Sequence, residues 1–184
     1  MESISNIKDI FNNTPENKLQ MFIEQYKDDS RQGVANLVKR AAKKIDDYNK
    51  EIERTYKLSE FERKYSDYEF ICGIDEVGRG PLAGPVVAGA VILPKDCDIL
   101  YINDSKKLSA KKREELYEVI MEKAVCAKTA VVSPKVIDEI NILQATYEAM
   151  RQAISMLEPQ PTLLLNDAVN IPGVPMKQVS IIKG

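Results

Sequence analysis

Apolar residues recur every three or four positions through the first third of the chain, then crowd into short unbroken runs. Leu19, Phe22, Ile23 and Tyr26 share one helical face. Val34, Leu37, Val38, Ala41, Ile45, Tyr48 and Ile52 form a longer stripe of the same period. Thr14-Pro15-Glu16 predicts a helix start, with a capping hydroxyl, proline at the first position and an acid in the first turn. Asp29 or Ser30 is placed to cap the longer helix. No strand-like run or glycine-rich loop precedes Tyr68, so residues 1–67 read as an all-helical extension. Leu58 to Ser66 leads from it into the main domain.

From Tyr68 the period changes. Phe70 to Ile74 and the valine-rich Val86 to Leu93 predict two strands, joined by a segment of glycine and proline that suits antiparallel neighbours. Ser109 caps a predicted helix running to about Ala124. Lys128 to Val132 predicts a third strand, and Ser133-Pro134 opens a short helix. Ile142 to Leu157 predicts an amphipathic helix through Leu143, Thr146, Met150 and Ile154. Thr162 to Asn166 predicts a fourth strand ending at Asp167, and Val179 to Ile182 a fifth. Strands first adjacent, then alternating with helices, give an α/β domain over residues 68–184, with a mixed sheet flanked by helices.

Composition narrows the chemistry. The 184 residues are 44% hydrophobic and 29% charged, with a net charge of -2, enough for one sizeable core plus an appendage. No run reaches the length of a membrane span, and Met1 to Ser5 lacks the basic-then-apolar pattern of a signal peptide. Cys72, Cys97 and Cys126 are odd in number and irregularly spaced, as reduced thiols of a cytoplasmic protein are. Histidine is absent, which removes the commonest general base and transition-metal ligand. Carboxylates, lysines or a bound metal must therefore carry any catalysis. The small net charge hides two cationic clusters, Lys106, Lys107, Lys111, Lys112 and Arg113, and Lys39, Arg40, Lys43 and Lys44.

The candidate chemistry lies at strand ends, where open α/β sheets bind ligands. Asp75 and Glu76 follow the first apolar run, and Asp167 follows the fourth. An oxygen-only donor set suits Mg²⁺ or Mn²⁺ rather than Zn²⁺. Carboxylate cages holding two such ions roughly 3.5–4 Å apart hydrolyse phosphodiesters. Successive strand residues point to opposite faces, so Asp75 and Glu76 share a site only where the strand ends between them. The turn at Gly78 is the expected break. Gly78-Arg79-Gly80 offers open backbone amides and a guanidinium for a phosphate or a sugar hydroxyl. Gly73 to Gly78 has the spacing of a nucleotide-binding phosphate loop. Arg79 and Gly80 stand where that loop requires Lys and Ser or Thr, and two acids inside it would repel phosphate. Asp104 to Ser109 joins hydroxyls and lysines just before a helix, a candidate backbone-phosphate contact. Tyr65, Tyr68 and Tyr101 read as packing residues.

Four segments stand in order: Gly73-Ile-Asp-Glu-Val-Gly-Arg-Gly-Pro-Leu-Ala-Gly-Pro-Val-Val, Asp104-Ser-Lys-Lys-Leu-Ser, Ile137-Asp-Glu-Ile-Asn-Ile-Leu-Gln-Ala-Thr with Ala149-Met150, and Leu163-Leu-Leu-Asn-Asp-Ala. The ordered set resembles bacterial ribonuclease HII from about Tyr68 onward, and the helical region resembles the extension that some members carry. The resemblance implies an RNase H-like fold and endonucleolytic cleavage of RNA in RNA–DNA hybrids and at single ribonucleotides in duplex DNA. It implies 3′-hydroxyl and 5′-phosphate products and a site loaded with Mn²⁺ or Mg²⁺, two ions together. Asp75, Glu76 and Asp167 fall on three of the family's four metal-binding carboxylates. Gly78, Arg79 and Gly80 fall on its reader of the ribose 2′-hydroxyl, and Ser105 and Lys106 lie near the backbone phosphates. The family's fourth carboxylate follows a Lys-Gly pair, and here the sequence stops at Lys183-Gly184. The resemblance thus implies a C-terminally truncated chain, weakly active or inactive. Asn166 stands where the family has an apolar residue.

Three functions compete. The first is a metal-dependent ribonuclease acting as a cytoplasmic monomer in replication and repair. The second is a non-catalytic module binding RNA–DNA hybrid, suggested by the absent ligand and the basic clusters. The third, a nucleotide-hydrolysing switch, has only the rejected phosphate-loop spacing behind it.

Overall fold

A computed structural model describes residues 2–80, 83–167 and 170–181. The chain divides into two compact units, Met1–Leu58 and Ser59–Gly184. The division expected at 67/68 and this one differ by the short helix Glu60–Lys64, which belongs with the second unit.

The first unit is built from α1 (Ile4–Asn13), α2 (Leu19–Tyr26) and α3 (Gln32–Leu58). Ile7, Phe11, Leu19, Phe22, Tyr26, Val34, Leu37 and Ala41 form its core. These are the periodic positions of the sequence, because a helix buries one face only. Phe22 sits between Phe11 and Tyr26, with ring centroids at 5.6 and 4.8 Å. Ser3 caps α1 by accepting from the Asn6 amide at 3.2 Å. The helix start expected at Thr14-Pro15-Glu16 is displaced. The Thr14 hydroxyl donates back to the Ile10 carbonyl at 2.7 Å and so closes α1. A single tight turn, Glu16–Lys18, follows, and α2 begins at Leu19.

The second unit opens with α4 (Glu60–Lys64) and centres on a five-stranded sheet. Its strands are β1 (Ile71–Val77), β2 (Val86–Ile92), β3 (Cys126–Val132), β4 (Leu163–Asp167) and β5 (Lys177–Ile181), in the order β3-β2-β1-β4-β5. β1 pairs antiparallel with β2 and parallel with β4, so the sheet is mixed, as the strand spacing predicts. α5 (Ala110–Lys123) links β2 to β3, and α6 (Pro134–Ser155) crosses from β3 to β4. α6 is two helices joined at Asn141, whose backbone is non-helical at φ 68° and ψ 162°. The Asn141 side-chain oxygen accepts from the Leu143 and Gln144 amides at 3.0 and 3.1 Å, capping the second helix. The break between the helices from Ser133 and from Ile142 therefore has a mechanism.

One face of the sheet packs on α6. Cys72, Ile74, Val86, Ala88, Ala90, Ile92, Ala130, Val132 and Leu164 meet Ala145, Ala149, Met150, Ala153 and Ile154. Alanines on both sides let the helix approach closely. Burial pushes the Cys72 thiol up to about 12, which leaves it inert at neutral pH. The other face is covered at β4, where Leu163 and Leu165 are buried. Toward the ends of β1 and β3 it is open, with Val77 68% and Val131 60% exposed. Among the described residues no helix is long and apolar enough to cross a membrane.

Asp29 supplies a pH-dependent tie in the first unit. Its carboxylate accepts from Arg31, side chain at 2.6–3.2 Å and backbone amide at 3.0 Å. These bonds hold its carboxyl down at about 2, against an ordinary 3.8. A lowered folded value means the tie is present at pH above about 4 and is lost as pH falls toward 2. An NMR titration of the Asp29 carboxyl is expected to show a midpoint near 2, rising toward 3.8 in Arg31→Ala. A midpoint near 3.8 in the unaltered chain would contradict the tie.

Candidate active site

The candidate site starts from the pairing of β1. The strand break expected between Asp75 and Glu76 does not occur. β1 continues to Val77, with Asp75 opposite Gly89, Glu76 opposite Ala88 and Val77 opposite Val87. The valine-rich β2 supplies ladder partners for these residues, so the two acids stay in the strand. Their side chains consequently diverge. Glu76 lies on the α6 side with Cys72 and Ile74, 17% exposed, its carboxylate 3.4 Å from the Arg79 guanidinium. Asp75 lies on the opposite face and is exposed.

The parallel partner of β1 brings a second acid to that face. The β1–β4 ladder pairs Ile71 with Leu163, Cys72 with Leu164, Gly73 with Leu165 and Ile74 with Asn166. Asp75 and Asp167 are the next residues of the two strands. In a parallel register neighbouring residues share a face. Asp75 and Asp167 therefore stand side by side at the C-terminal ends of β1 and β4. Glycine flanks Asp75 across the strand at Gly89 and two residues back at Gly73, and a Cβ at either would meet nothing within 4 Å. The face beside the pair is thus low and open. Among the described residues no three carboxylates or thiols gather closely enough to hold an ion. Lys183 and Gly184, and Ala168 beside Asp167, lie outside the described residues.

β1 leads into the glycine turn. Gly78 has φ +95°, and a Cβ there would lie 2.3 Å from the Pro85 carbonyl oxygen. The chain passes so close to the start of β2 that only glycine fits. Gly80 differs: it has open space on its Cβ side. Its lack of a side chain is not required by packing, which leaves room for a ligand against the backbone. Pro81 and Leu82 lie outside the described residues.

The Asp104–Ser109 segment is internally braced. Asp104 accepts from the Lys106 amide at 3.0 Å, and Ser109 caps α5 by accepting from the Lys112 amide at 3.2 Å. Arg113 donates to the Ser105 and Leu108 carbonyls at 3.2 and 2.7 Å. Ser105, Lys106 and Lys107 remain exposed. Among the described residues no hydrogen bond or ion pair joins Ser105 or Lys106 to Asp75 or Asp167.

Two supports were not foreseen. Arg113 reads in the sequence as one more surface cation, although its place four residues after the Ser109 cap lets it reach back to the loop. Asn166 is 1% exposed and donates to the Gln178 side-chain oxygen at 2.9 Å. Gln178 also bonds both backbone groups of Ile171, accepting at 2.8 Å and donating at 2.9 Å. The odd polar residue before Asp167 thus ties β4 to β5 and to the loop leaving the site. Its signal was the departure from an apolar residue, but its partner was not visible.

A five-stranded mixed sheet in this order, with acids at the ends of its central parallel pair, is the architecture of the RNase H-like fold. The crystal structure of the ribonuclease H2 of Pyrococcus horikoshii OT3 shares it, with a TM-score of 0.50 and 24% identity, covering 62% of this chain and 63% of that one. The family model for ribonuclease HII matches residues 72–183, and that for the ribonuclease HII N-terminal domain matches residues 3–66. Ribonuclease HII of Lachnoclostridium phytofermentans is 60% identical over 161 residues, 88% of this chain and 63% of its own length. Ribonuclease HII of Bacillus subtilis is 48% identical over 165 residues, 89% of this chain and 64% of its own. Ribonuclease HII of Clostridioides difficile is 46% identical over 185 residues, all of this chain and 72% of its own. The chain belongs to the ribonuclease HII family. It spans less than two thirds of the length of the Lachnoclostridium and Bacillus relatives.

The two turn glycines are expected to behave differently. Gly78→Ala adds a clash and a strained φ, and urea denaturation should show a loss of at least about 2 kcal/mol. Gly80→Ala should stay within about 0.5 kcal/mol of the unaltered chain. Equal effects would contradict the geometry of the turn.

Proposed function

We propose that the Ser59–Gly184 unit is the catalytic part of an endoribonuclease that cuts RNA in RNA–DNA hybrids and at single ribonucleotides in duplex DNA. One observation carries the reading: Asp75 and Asp167 are adjacent on one open sheet face, next to a glycine turn with room for a ligand. The donor set there is hard oxygen, with neither imidazole nor thiolate, which fits Mg²⁺ or Mn²⁺.

Asp75 and Asp167 would bind the cations from adjacent strands. Glu76, the third acid expected to join them, points to the α6 side of β1 and stands off this shared face, paired with Arg79. A pair of bound cations supplies an activated water and charge stabilisation at the leaving oxygen. The protein's own part is recognition and positioning. Gly80 and its neighbours Gly78 and Arg79 would present backbone amides and a guanidinium to the ribose 2′-hydroxyl, the group that separates RNA from DNA. A Cβ at Gly80 would occupy that space. Ser105 and Lys106, held by the Arg113 brace, would contact backbone phosphates. The products would carry 3′-hydroxyl and 5′-phosphate ends. The chain would act in the cytoplasm as a monomer.

A second reading keeps the binding and drops the cleavage. It is favoured by the divergence of Asp75 and Glu76, which leaves two carboxylates on the shared face.

A duplex with one embedded ribonucleotide, incubated with the chain and Mn²⁺ or Mg²⁺, separates the readings. The first expects a metal-dependent nick at the 5′ side of the ribonucleotide. Asp75→Asn and Asp167→Asn should each lower its rate by at least about 100-fold. Gly80→Ala should lower it while folding normally. Binding without cleavage supports the second reading, and cleavage indifferent to Asp75→Asn refutes the first.

A further inference from the structure

The first unit carries a cationic surface that the catalytic reading leaves unused. From Gln32 to Ile45 α3 contains no carboxylate, and Lys39, Arg40, Lys43 and Lys44 all lie there, exposed. They form two i,i+4 rows, Lys39 with Lys43 and Arg40 with Lys44. Like charges at this spacing repel and weaken a helix. Among the described residues four cations elsewhere in the unit are paired, although Lys8, Lys18 and Lys57 are not. Lys50 pairs with Asp46 at 2.6 Å, Arg54 with Glu51 at 2.7 Å, Lys27 with Glu24 at 2.7 Å and Arg31 with Asp29 at 2.6 Å. Among the described residues none of Lys39, Arg40, Lys43 and Lys44 has a carboxylate partner. Asp47 follows Lys43 and Lys44 at helical spacing and makes no ion pair with them.

Something in the fold holds the cations in place. The Arg40 guanidinium lies 5.0 Å and the Lys44 ammonium 4.9 Å from the centroid of the Phe11 ring. Phe11 is 1% exposed and braced by Phe22. A buried ring under two cations fixes one row without neutralising it. The second row, Lys39 and Lys43, stands free beside it, and Ala42 adds no bulk. A merely solvated helix face would mix its charges, as the later turns of α3 do. An unpaired double row of cations, with one row held on Phe11, is complementary to a polyanion whose charges repeat every few ångströms.

We infer that Lys39, Arg40, Lys43 and Lys44 form a second nucleic-acid contact, which grips the sugar–phosphate backbone of the duplex without reading its sequence or sugar. The inference rests on the reading that the chain acts on duplexes containing RNA, and adds a contact in the first unit separate from the cleavage chemistry. Such a tether would raise the local concentration of duplex at the other unit.

The test measures metal-free binding of the full chain to a labelled RNA–DNA hybrid and to an all-DNA duplex of the same sequence, by anisotropy between about 50 and 200 mM salt. Two variants are compared, Lys39→Gln with Lys43→Gln, and the same with Arg40→Gln and Lys44→Gln. The double variant leaves the Phe11 cover intact, so it guards against misfolding. Each lost phosphate contact flattens the slope of log affinity against log salt by about 0.9. The expected flattening is about 2 for the double variant and 3–4 for the quadruple, equal on both duplexes. An unchanged slope in the double variant overturns the inference, as does a loss confined to the hybrid. Binding of an acidic protein surface instead would leave duplex affinity untouched and so also overturn it. Failure of the catalytic reading would show separately, as absent Asp75-dependent cleavage with the slope change intact.

Discussion

β1 is hydrogen-bonded along both edges, antiparallel to β2 and parallel to β4, and the candidate site is a consequence of that double pairing. A strand held on one edge only could twist or fray at its end and let two consecutive acids point the same way. β1 cannot, because β2 holds it in register through Val77. The parallel edge then decides which acids meet. With Ile74 beside Asn166, Asp75 and Asp167 must stand together. A one-residue slip would bring Glu76 to that face and turn Ile74 out of the core. The burial of Cys72 and Ile74 against α6 therefore sets the position of a carboxylate on the far side of the sheet.

Glycine makes this arrangement accessible. Gly73 and Gly89 border Asp75 with no side chain, while valines fill the next row, Val77, Val87 and Val131. Gly78 is fixed by the close pass of the Pro85 carbonyl, whereas Gly80 is not. Two glycines with the same appearance in sequence thus differ in constraint: packing within the fold requires one and leaves open space beside the other.

The sequence revealed most of the elements and little of the way they support one another. Periodicity located α3 and the second half of α6, a valine-rich run located β2, and the Ser133-Pro134 start located the first half of α6. The boundary before Ile142 was legible from the two helical segments, but its cause, the Asn141 side chain capping the second helix from a non-helical backbone, was not. The continuation of β1 through Asp75 and Glu76 was not legible. Two charges after an apolar run look like a strand end unless the partner strand is known. β3 likewise begins at Cys126 rather than Lys128, because Ile92 and Val91 extend the ladder that far. The Asn166–Gln178 tie and the Arg113 brace were hidden for a further reason. Each joins residues separated by a loop, and a single chain read in order does not show which loop returns to which strand.

The central claim is the pairing of Asp75 with Asp167 on one face, and cysteine trapping tests it without recourse to activity. In a chain with Cys72→Ala, Cys97→Ser and Cys126→Ser, two double variants would be oxidised under mild conditions: Asp75→Cys with Asp167→Cys, and Glu76→Cys with Asp167→Cys. Adjacent strands lie about 4.8 Å apart, within the span a disulfide bridges when both side chains share a face. Rapid cross-linking of the 75–167 pair, with little of the 76–167 pair, is the predicted result. Preferential cross-linking of the 76–167 pair would contradict the register and the site built on it.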